Sequence, residues 1–326
     1  MDQIITNFLS ELELGELQAF KNMAVIPLFN PVNHGPRYLS LGEAMAKGLL
    51  TVTEVSQSGA VPELKVSNKA DIPVLLLDGE ELAGAKQNRV LNTSILLMEH
   101  SETIIPVSCT EQGRWSYVSE AFAESGNIMS HSMRLKKASS VSFSLREGMS
   151  FRGNQGEIWD DIQNLSRAAS VHSQTGAMRE VYEDKKKDLD DYLGAFPYVP
   201  SQKGIFVMIN GEVVGFDLLS LAPVYEAIHP KLVKSYAMDA FLQQKNHSGN
   251  GSVEKAKAFV GEAGQSKEER FKSVGHGWDH RFEGPGIVGS ALVHQDKVIH
   301  MAFFGITESE KVGKMSSASR RRGFRR

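Results

Sequence analysis

Three segments of the chain share one shape: VLLLDGEELAG at residues 74–84, VMINGEVVGF at 207–216 and ALVHQDKVIHM at 291–301. Each is an apolar run, a polar turn and a second run. Asn210-Gly211 is the clearest turn, because both residues tolerate the positive φ that a two-residue hairpin needs. Asp78-Gly79 and Gln295-Asp296 are turns of the same kind. Chains built this way form antiparallel sheet, and the uneven spacing of the three segments argues against a repeat family.

Helical patterns fill much of the remainder. Residues 4–20 carry Ile4, Phe8, Leu12 and Leu17 at roughly helical spacing. Residues 41–49, 154–173, 178–193, 224–244 and 253–260 also read as helices, that at 178–193 with a charged, solvated face. Strands are expected at 23–29, 51–55, 63–66, 271–274, 280–282, 287–294 and 297–304. Residues 116–154 are rich in Ser, Gly and Asn and carry a basic patch at Arg134, Lys136 and Lys137, so mobile loops with a little helix are expected there, with an edge strand at 139–150. Residues 246–251 read as a loop. The expected fold class is α+β: mainly antiparallel, hairpin-rich sheet with helices inserted between N- and C-terminal strand regions. The expected organisation is an N-terminal helix at 1–20, one α+β domain at 21–306 with its helices concentrated at about 154–261, and a disordered polar and basic tail at 307–326.

Charge and composition narrow the function classes. Apolar residues make up 41% and charged residues 23%, the balance of a globular chain with a core. The net charge is −3, and five arginines lie in the last seven residues; without those five positive charges the rest stands at −8. An acidic body argues against a general nucleic-acid surface. A single cysteine excludes an intrachain disulfide and a thiolate metal cluster. No apolar run is long enough to span a bilayer, and the N-terminus has no basic segment of a secretory signal. The expected location is the cytoplasm.

The densest chemistry lies in residues 73–115. Here Val74–Leu77 is an unbroken apolar run, as in a strand buried on both faces. Polar clusters follow at 78–89 and 108–115. If residues 90–97 and 103–107 form a hairpin centred near His100, Leu91 faces Cys109 and Arg89 faces Glu111, and the two clusters meet at one end of a sheet. Arg89 and Arg114 are candidate phosphate ligands, since a guanidinium binds phosphate through two parallel hydrogen bonds. Trp115 offers a stacking face. Gln87 and Asn88 suit hydroxyls or a base edge. Glu80 and Glu111 are the candidate catalytic carboxylates, as base or metal ligand. The plainer alternative is that Arg89 and Glu111 form a strand-end ion pair and Cys109 is a small core side chain. No phosphate-loop, dinucleotide-turn, nucleophile-elbow or HExxH motif occurs, so no cofactor is assigned. His276 and His280 with Asp279 could supply metal ligands, or be ordinary loop residues.

The stretch DGEELAGAKQNRVLNTSIL followed by IPVSCTEQGRW resembles the ARPP family, bacterial and archaeal proteins named for their association with ADP-ribosylglycohydrolases and rhodanese-phosphatase-superfamily proteins. GIFVMINGEVVGFDLL, KLVKSYAMDA and GSALVHQDKVIHMAFF are similar to that family too, so the likeness spans about residues 20–306. It implies a link with NAD and ADP-ribose metabolism and carries no assigned catalytic residues. The leading expectation is therefore a protein that binds an ADP-ribose- or NAD-related nucleotide, with hydrolysis as the reaction if it turns the ligand over. The alternative is a non-enzymatic interaction module that binds a protein partner through its sheet surface and basic tail.

Overall fold

The computed structural model describes residues 1–32, 35–244 and 251–306. The expected basic tail and all but Gly251 of the expected 246–251 loop lie outside the described residues.

Helix α1 (Gln3–Ser10) opens the chain, capped by Asp2, whose Oδ1 accepts from the Ile4 N–H at 2.9 Å. The helix expected over 4–20 stops there. Glu11-Leu12-Glu13-Leu14 alternates with period two, and the chain passes into strands β1 (Glu13–Leu14) and β2 (Gln18–Phe20), both paired with β3 (Met23–Phe29). Then come β4 (Leu39–Ser40), α2 (Leu41–Ala46), β5 (Leu50–Glu54), β6 (Glu63–Asn68), β7 (Val74–Leu76), β8 (Glu80–Gly84), β9 (Arg89–Leu91), β10 (Ile95–Leu97), β11 (Ser101–Cys109) and β12 (Phe122–Ile128). Helices α3 (His131–Arg146), α4 (Gln155–Ala168), α5 (Met178–Asp184) and α6 (Lys186–Ala195) lead to β13 (Gly204–Ile209) and β14 (Glu212–Leu219). Helices α7 (Ala222–Leu242) and α8 (Val253–Ala263) precede β15 (Lys267–Lys272), β16 (Trp278–Gly284), β17 (Ile287–His294) and β18 (Lys297–Gly305). The fold is α+β, with almost wholly antiparallel sheet.

The largest sheet runs β1-β3-β13-β14-β18-β17-β16-β15, with β2 also on β3. The Asn210-Gly211 hairpin is present, with Ile209 opposite Glu212, and so is the Gln295-Asp296 turn, with His294 opposite Lys297. Both faces are covered, which explains the unbroken apolar runs. Ala24, Ile26, Phe206 and Met208 pack under α1 and α8. Their neighbours Val25, Ile205 and Val207 face α5, α6 and α7 on the other side. The outer strand β15 is charged and largely solvated, as suits an unpaired edge.

The strand–turn–strand segment at 74–84 is not a hairpin. Gly79 does turn, at φ +86, but β7 joins β4 and β10 while β8 joins β9 and β12. The expected hairpin around His100 is divided in the same way. Asn92, Thr93 and Ser94 interrupt the apolar run, and each bonds a different element. Asn92 donates to the Phe151 carbonyl at 3.0 Å, Thr93 donates to Asp279 at 2.7 Å, and Ser94 meets His300 Nδ1 at 2.8 Å. Thus β10 pairs with β7, and β9 pairs with the end of β11 in a register two residues from the expected one. Leu91 faces Val107, and Arg89 faces Cys109 rather than Glu111. A shift of two keeps every side chain on its expected face.

The larger correction concerns 116–154. Strand β12 and the sixteen-residue helix α3 stand where mostly loops, a little helix and an edge strand at 139–150 were expected. Helix α3 buries Arg134 and Lys137 as well as Met133, Leu135 and Val141, so its apolar residues form no single stripe. The expected 178–193 helix is two helices, divided at Lys185.

Candidate functional site

The six-stranded sheet β12-β8-β9-β11-β6-β5 meets itself through an antiparallel bridge between Thr53 and Ala121. Its edges are thereby joined and the strands form a small barrel. Alternation fills the interior with Val52, Leu64, Leu82, Leu91, Ile105, Val107 and Phe122. Continuing the same alternation at one end gives a different chemistry. Glu54 lies two residues beyond Val52, Arg89 two before Leu91, and Cys109 two beyond Val107. One mouth of the barrel therefore holds an inward carboxylate, guanidinium and thiol.

Arg89 is fully buried. Its Nη1 donates to the Gln87 carbonyl (3.1 Å), to Gln87 Oε1 (3.2 Å) and to the Asn88 carbonyl (3.3 Å). Its Nε and Nη2 have no hydrogen-bond partner. Nη2 stands 3.8 Å from Glu54 Oε1, an ion pair too long for a hydrogen bond. Glu54 Oε1 accepts weakly from the Lys86 N–H at 3.4 Å, and Oε2 has no hydrogen-bond partner. Burial lowers the Arg89 pKa against the pull of Cys109 and Glu54. Burial pushes the Cys109 thiol up, and Arg89 offsets part of that shift. Trp115 covers the mouth, with its ring 5.7 Å from the Arg89 guanidinium carbon and 5.3 Å from Lys86 Nζ.

Arg114 lies outside the mouth and organises its loops. Nε and Nη2 bind both oxygens of Glu111 at 2.9 and 2.6 Å, Nη1 binds the carbonyls of Ala85 and Ser116, and Nη2 also reaches Asn88 Oδ1 at 3.2 Å. Burial works against ionised Glu111, but Arg114 and Thr175 hold its carboxyl below the ordinary range. Asn88, Glu111 and Arg114 line an outer cleft of about 460 Å³ with Glu124, Arg179 and Glu180. Glu80 is elsewhere: it is buried against Lys231, which also contacts Glu124, and its Oε2 accepts from the Leu77 N–H at 2.8 Å. The structure thus brings Gln87, Arg89 and Trp115 to the barrel mouth, Asn88, Glu111 and Arg114 to the adjacent cleft, and leaves Glu80 in an internal ion pair.

Sequence reasoning missed Glu54, which lies outside the 73–115 stretch and reaches Arg89 only because the barrel closes. Inward alternation from Val52 was the available signal. Glu81 belongs to the same polar cluster as Glu80 and, as its neighbour on a strand, points to the opposite face. This carboxyl is fully buried, and burial raises its pKa from 4.5 to about 7. Thr110 donates to its Oε1 at 2.7 Å; Oε2 has no partner at bonding distance, although Ser125 and Asn127 are near enough to temper the shift.

A second polar centre links the sheets. Asp217 accepts two hydrogen bonds from Arg134, at 2.6 and 2.9 Å, and one from Tyr236 at 2.7 Å. Arg134 also faces Asp78, which contacts Lys137. Ser94, His300 and Asp217 form a hydrogen-bonded series, with His300 Nε2 3.2 Å from Asp217 Oδ1. The residue types match a nucleophile, base and orienting acid. Yet all three are buried, the Asp78 N–H donates to Ser94 Oγ, and Asp217 is spent on Arg134. We read this centre as the polar bolt that joins β7 and β10 to the large sheet through α3.

At the C-terminal histidines, His276 pairs with Glu99 at 3.0 Å and stacks on His294. His280 contacts Glu268, and with Asp2 these three bring metal-type donor atoms within 4.8 Å of one another. Asp279, expected beside the histidines, bonds Arg281 instead.

A family model described as ARPP-1, the ARG and Rhodanese-Phosphatase-superfamily-associated Protein domain, matches residues 11–304. No curated protein and no solved structure matches the chain. No helix among the described residues is long and apolar enough to cross a membrane.

Proposed function

The chain belongs to the ARG and Rhodanese-Phosphatase-superfamily-associated Protein domain family, and from that premise we propose that it binds an ADP-ribose- or NAD-related nucleotide at the barrel mouth. The observation that carries the reading is Arg89, a fully buried guanidinium with unspent Nε and Nη2 donors beneath an exposed indole. Buried donors without partners are costly, and ligand sites are where such costs are tolerated. Barrel mouths are also a recurrent place for small ligands. In this reading Arg89 anchors a polar group of the ligand, Trp115 stacks on a ring, and Gln87 orients the guanidinium. Arg114 acts as a positioning residue, since its donors are already bonded within the protein. If the ligand is turned over, hydrolysis is the expected reaction. Glu54 is then the carboxylate at the ligand, and Glu111 borders the outer cleft.

The test is a thermal-shift series with ADP-ribose, NAD and AMP on the wild type and on Arg89→Lys, which keeps the charge beside Glu54 and loses the forked donors. A ligand at about 100 times its dissociation constant adds roughly 2.7 kcal/mol of stability. A shift with the wild type that vanishes in Arg89→Lys supports the reading; equal shifts in both proteins refute the assignment to Arg89.

A second reading has its own support. Trp115, Tyr117 and Val118 are 46%, 49% and 66% exposed within four residues, a small apolar patch of the kind that docks a protein. Pull-down with the wild type and with Val118→Asp separates this reading from the first, because Val118 lies outside the barrel mouth.

A further inference from the structure

The Arg89–Glu54 pair differs from the closed buried pairs Arg134–Asp217 and Arg281–Asp279. Unlike Arg134, which faces Asp78 at 3.5 Å but is held by Asp217, Arg89 has no carboxylate at hydrogen-bond distance. Arg134 grips Asp217 with two short hydrogen bonds, and Arg281 grips Asp279 through Nε and Nη2 at 2.5 and 2.9 Å. Arg89 and Glu54 face each other at 3.8 Å, with donors free on one side and an acceptor free on the other. A pair serving stability alone would close to hydrogen-bond distance, because each ion loses its hydration on burial.

The unspent groups specify what could bridge them by bonding to both. Nε and Nη2 call for acceptors, and Glu54 Oε2 calls for a donor. A phosphate at neutral pH offers acceptors and would set its charge against Glu54. An ammonium offers donors and would oppose Arg89. A hydroxyl accepts and donates at once, and two adjacent hydroxyls can serve both nitrogens and the carboxylate together. The surroundings suit such a group. Trp115 supplies a face for a sugar or base ring. Gly59 roofs the site in a left-handed turn, at φ +75, and a Cβ there would lie 3.3 Å from Lys86 Cδ and Trp115 Cζ2 and 3.4 Å from Glu54 Oε2. Arg89 is closed off in this arrangement, so ligand entry would require the Gly59 turn and Trp115 to move aside.

We propose that the Arg89–Glu54 pair is the receptor for a vicinal diol of a ribose or related sugar, which bonds to both the guanidinium donors and the Glu54 carboxylate beside Gly59 and Trp115. This rests on the nucleotide reading of the same mouth and names the part of the ligand that the pair recognises.

The experiment is isothermal titration of the wild-type protein with ADP-ribose, ribose 5-phosphate, 2-deoxyribose 5-phosphate and inorganic phosphate. The expected result is binding of ADP-ribose and ribose 5-phosphate, with 2-deoxyribose 5-phosphate at least ten-fold weaker, because its loss leaves buried polar groups unpaired. Glu54→Gln should narrow that ratio to within about two-fold, as an amide retains one acceptor but turns an N–H toward Arg89. Equal binding of the ribose and deoxyribose phosphates overturns the diol assignment and leaves the nucleotide reading standing. Inorganic phosphate binding as tightly as ribose 5-phosphate overturns it in favour of an anion site. No binding of ADP-ribose overturns the nucleotide reading and this inference with it.

Discussion

Arg89 Nη2 lies 3.8 Å from Glu54 Oε1 inside the mouth of a six-stranded barrel, and neither group is saturated by hydrogen bonds. The two residues are 35 positions apart in sequence, and only the closure of β5 against β12 brings them together. The mouth is therefore made by topology, while its floor is made by the alternation that fills the barrel.

Removing one ion of this pair strands the other. Arg89→Met is expected to cost about 3–5 kcal/mol, the range for breaking a buried pair. Adding Glu54→Met should recover most of that loss, since two apolar side chains replace two desolvated charges. Urea denaturation of both single variants and the double variant measures the coupling; purely additive losses would contradict the pairing.

Asp217 is the anchor of the internal bolt. Burial opposes its charge, but Arg134 and His300 hold its carboxyl far below the ordinary range. A carboxyl whose folded pKa is depressed contributes stability that is present above its unfolded pKa and lost as pH falls through the folded one. The contribution of Asp217 is therefore intact at neutral pH and fails only in strong acid. Asp217→Asn is expected to cost about 3–5 kcal/mol at pH 7 by leaving Arg134 underpaired, measured by the shift in urea midpoint. A change under 1 kcal/mol would show that the bolt does not hold the sheets.

Glu81 has the opposite sign. Its folded pKa of about 7 lies above the ordinary 4.5, so the folded state holds its proton longer than the unfolded chain. Stability should fall as pH rises from about 4.5 to 7 and level off above that, a loss of about 3 kcal/mol for this group. Glu81→Gln should remove this slope and be the more stable protein at pH 8. Parallel pH profiles of wild type and variant would contradict a neutral, buried Glu81.

Cys109 is fully buried, and burial raises its thiol pKa. A thiol reagent should therefore modify the native protein at least a hundred-fold more slowly than the urea-unfolded chain, with a rate that tracks opening of the mouth. Native modification as fast as that of the unfolded chain would mean that the mouth stands open.

The sheet was legible where one rule acted alone. Asn210-Gly211 and Gln295-Asp296 gave hairpins because their turns join runs that stay in one sheet. Asp78-Gly79 gave the turn but not the pairing, since local chemistry does not say which sheet each strand enters. Helix α3 was hidden because Arg134 and Lys137 look like surface charges until Asp78, from a turn, and Asp217, from a strand, meet them from far away in sequence. The site was legible in the same uneven way. Gln87, Arg89 and Trp115 do gather, as the dense polar stretch suggested. Glu80 is drawn off by Lys231 on α7, and Glu54 enters from a segment outside the dense 73–115 stretch.

Hydrogen–deuterium exchange with and without saturating ADP-ribose tests the central claim most directly, because it reports both whether the ligand binds and where. The account predicts slowed exchange in residues 54–60 and 85–89 and around Trp115, with the same segments unchanged in Arg89→Lys. Slowed exchange confined to the histidine-rich segment at 268–296, or none anywhere, would contradict a ligand site at the barrel mouth.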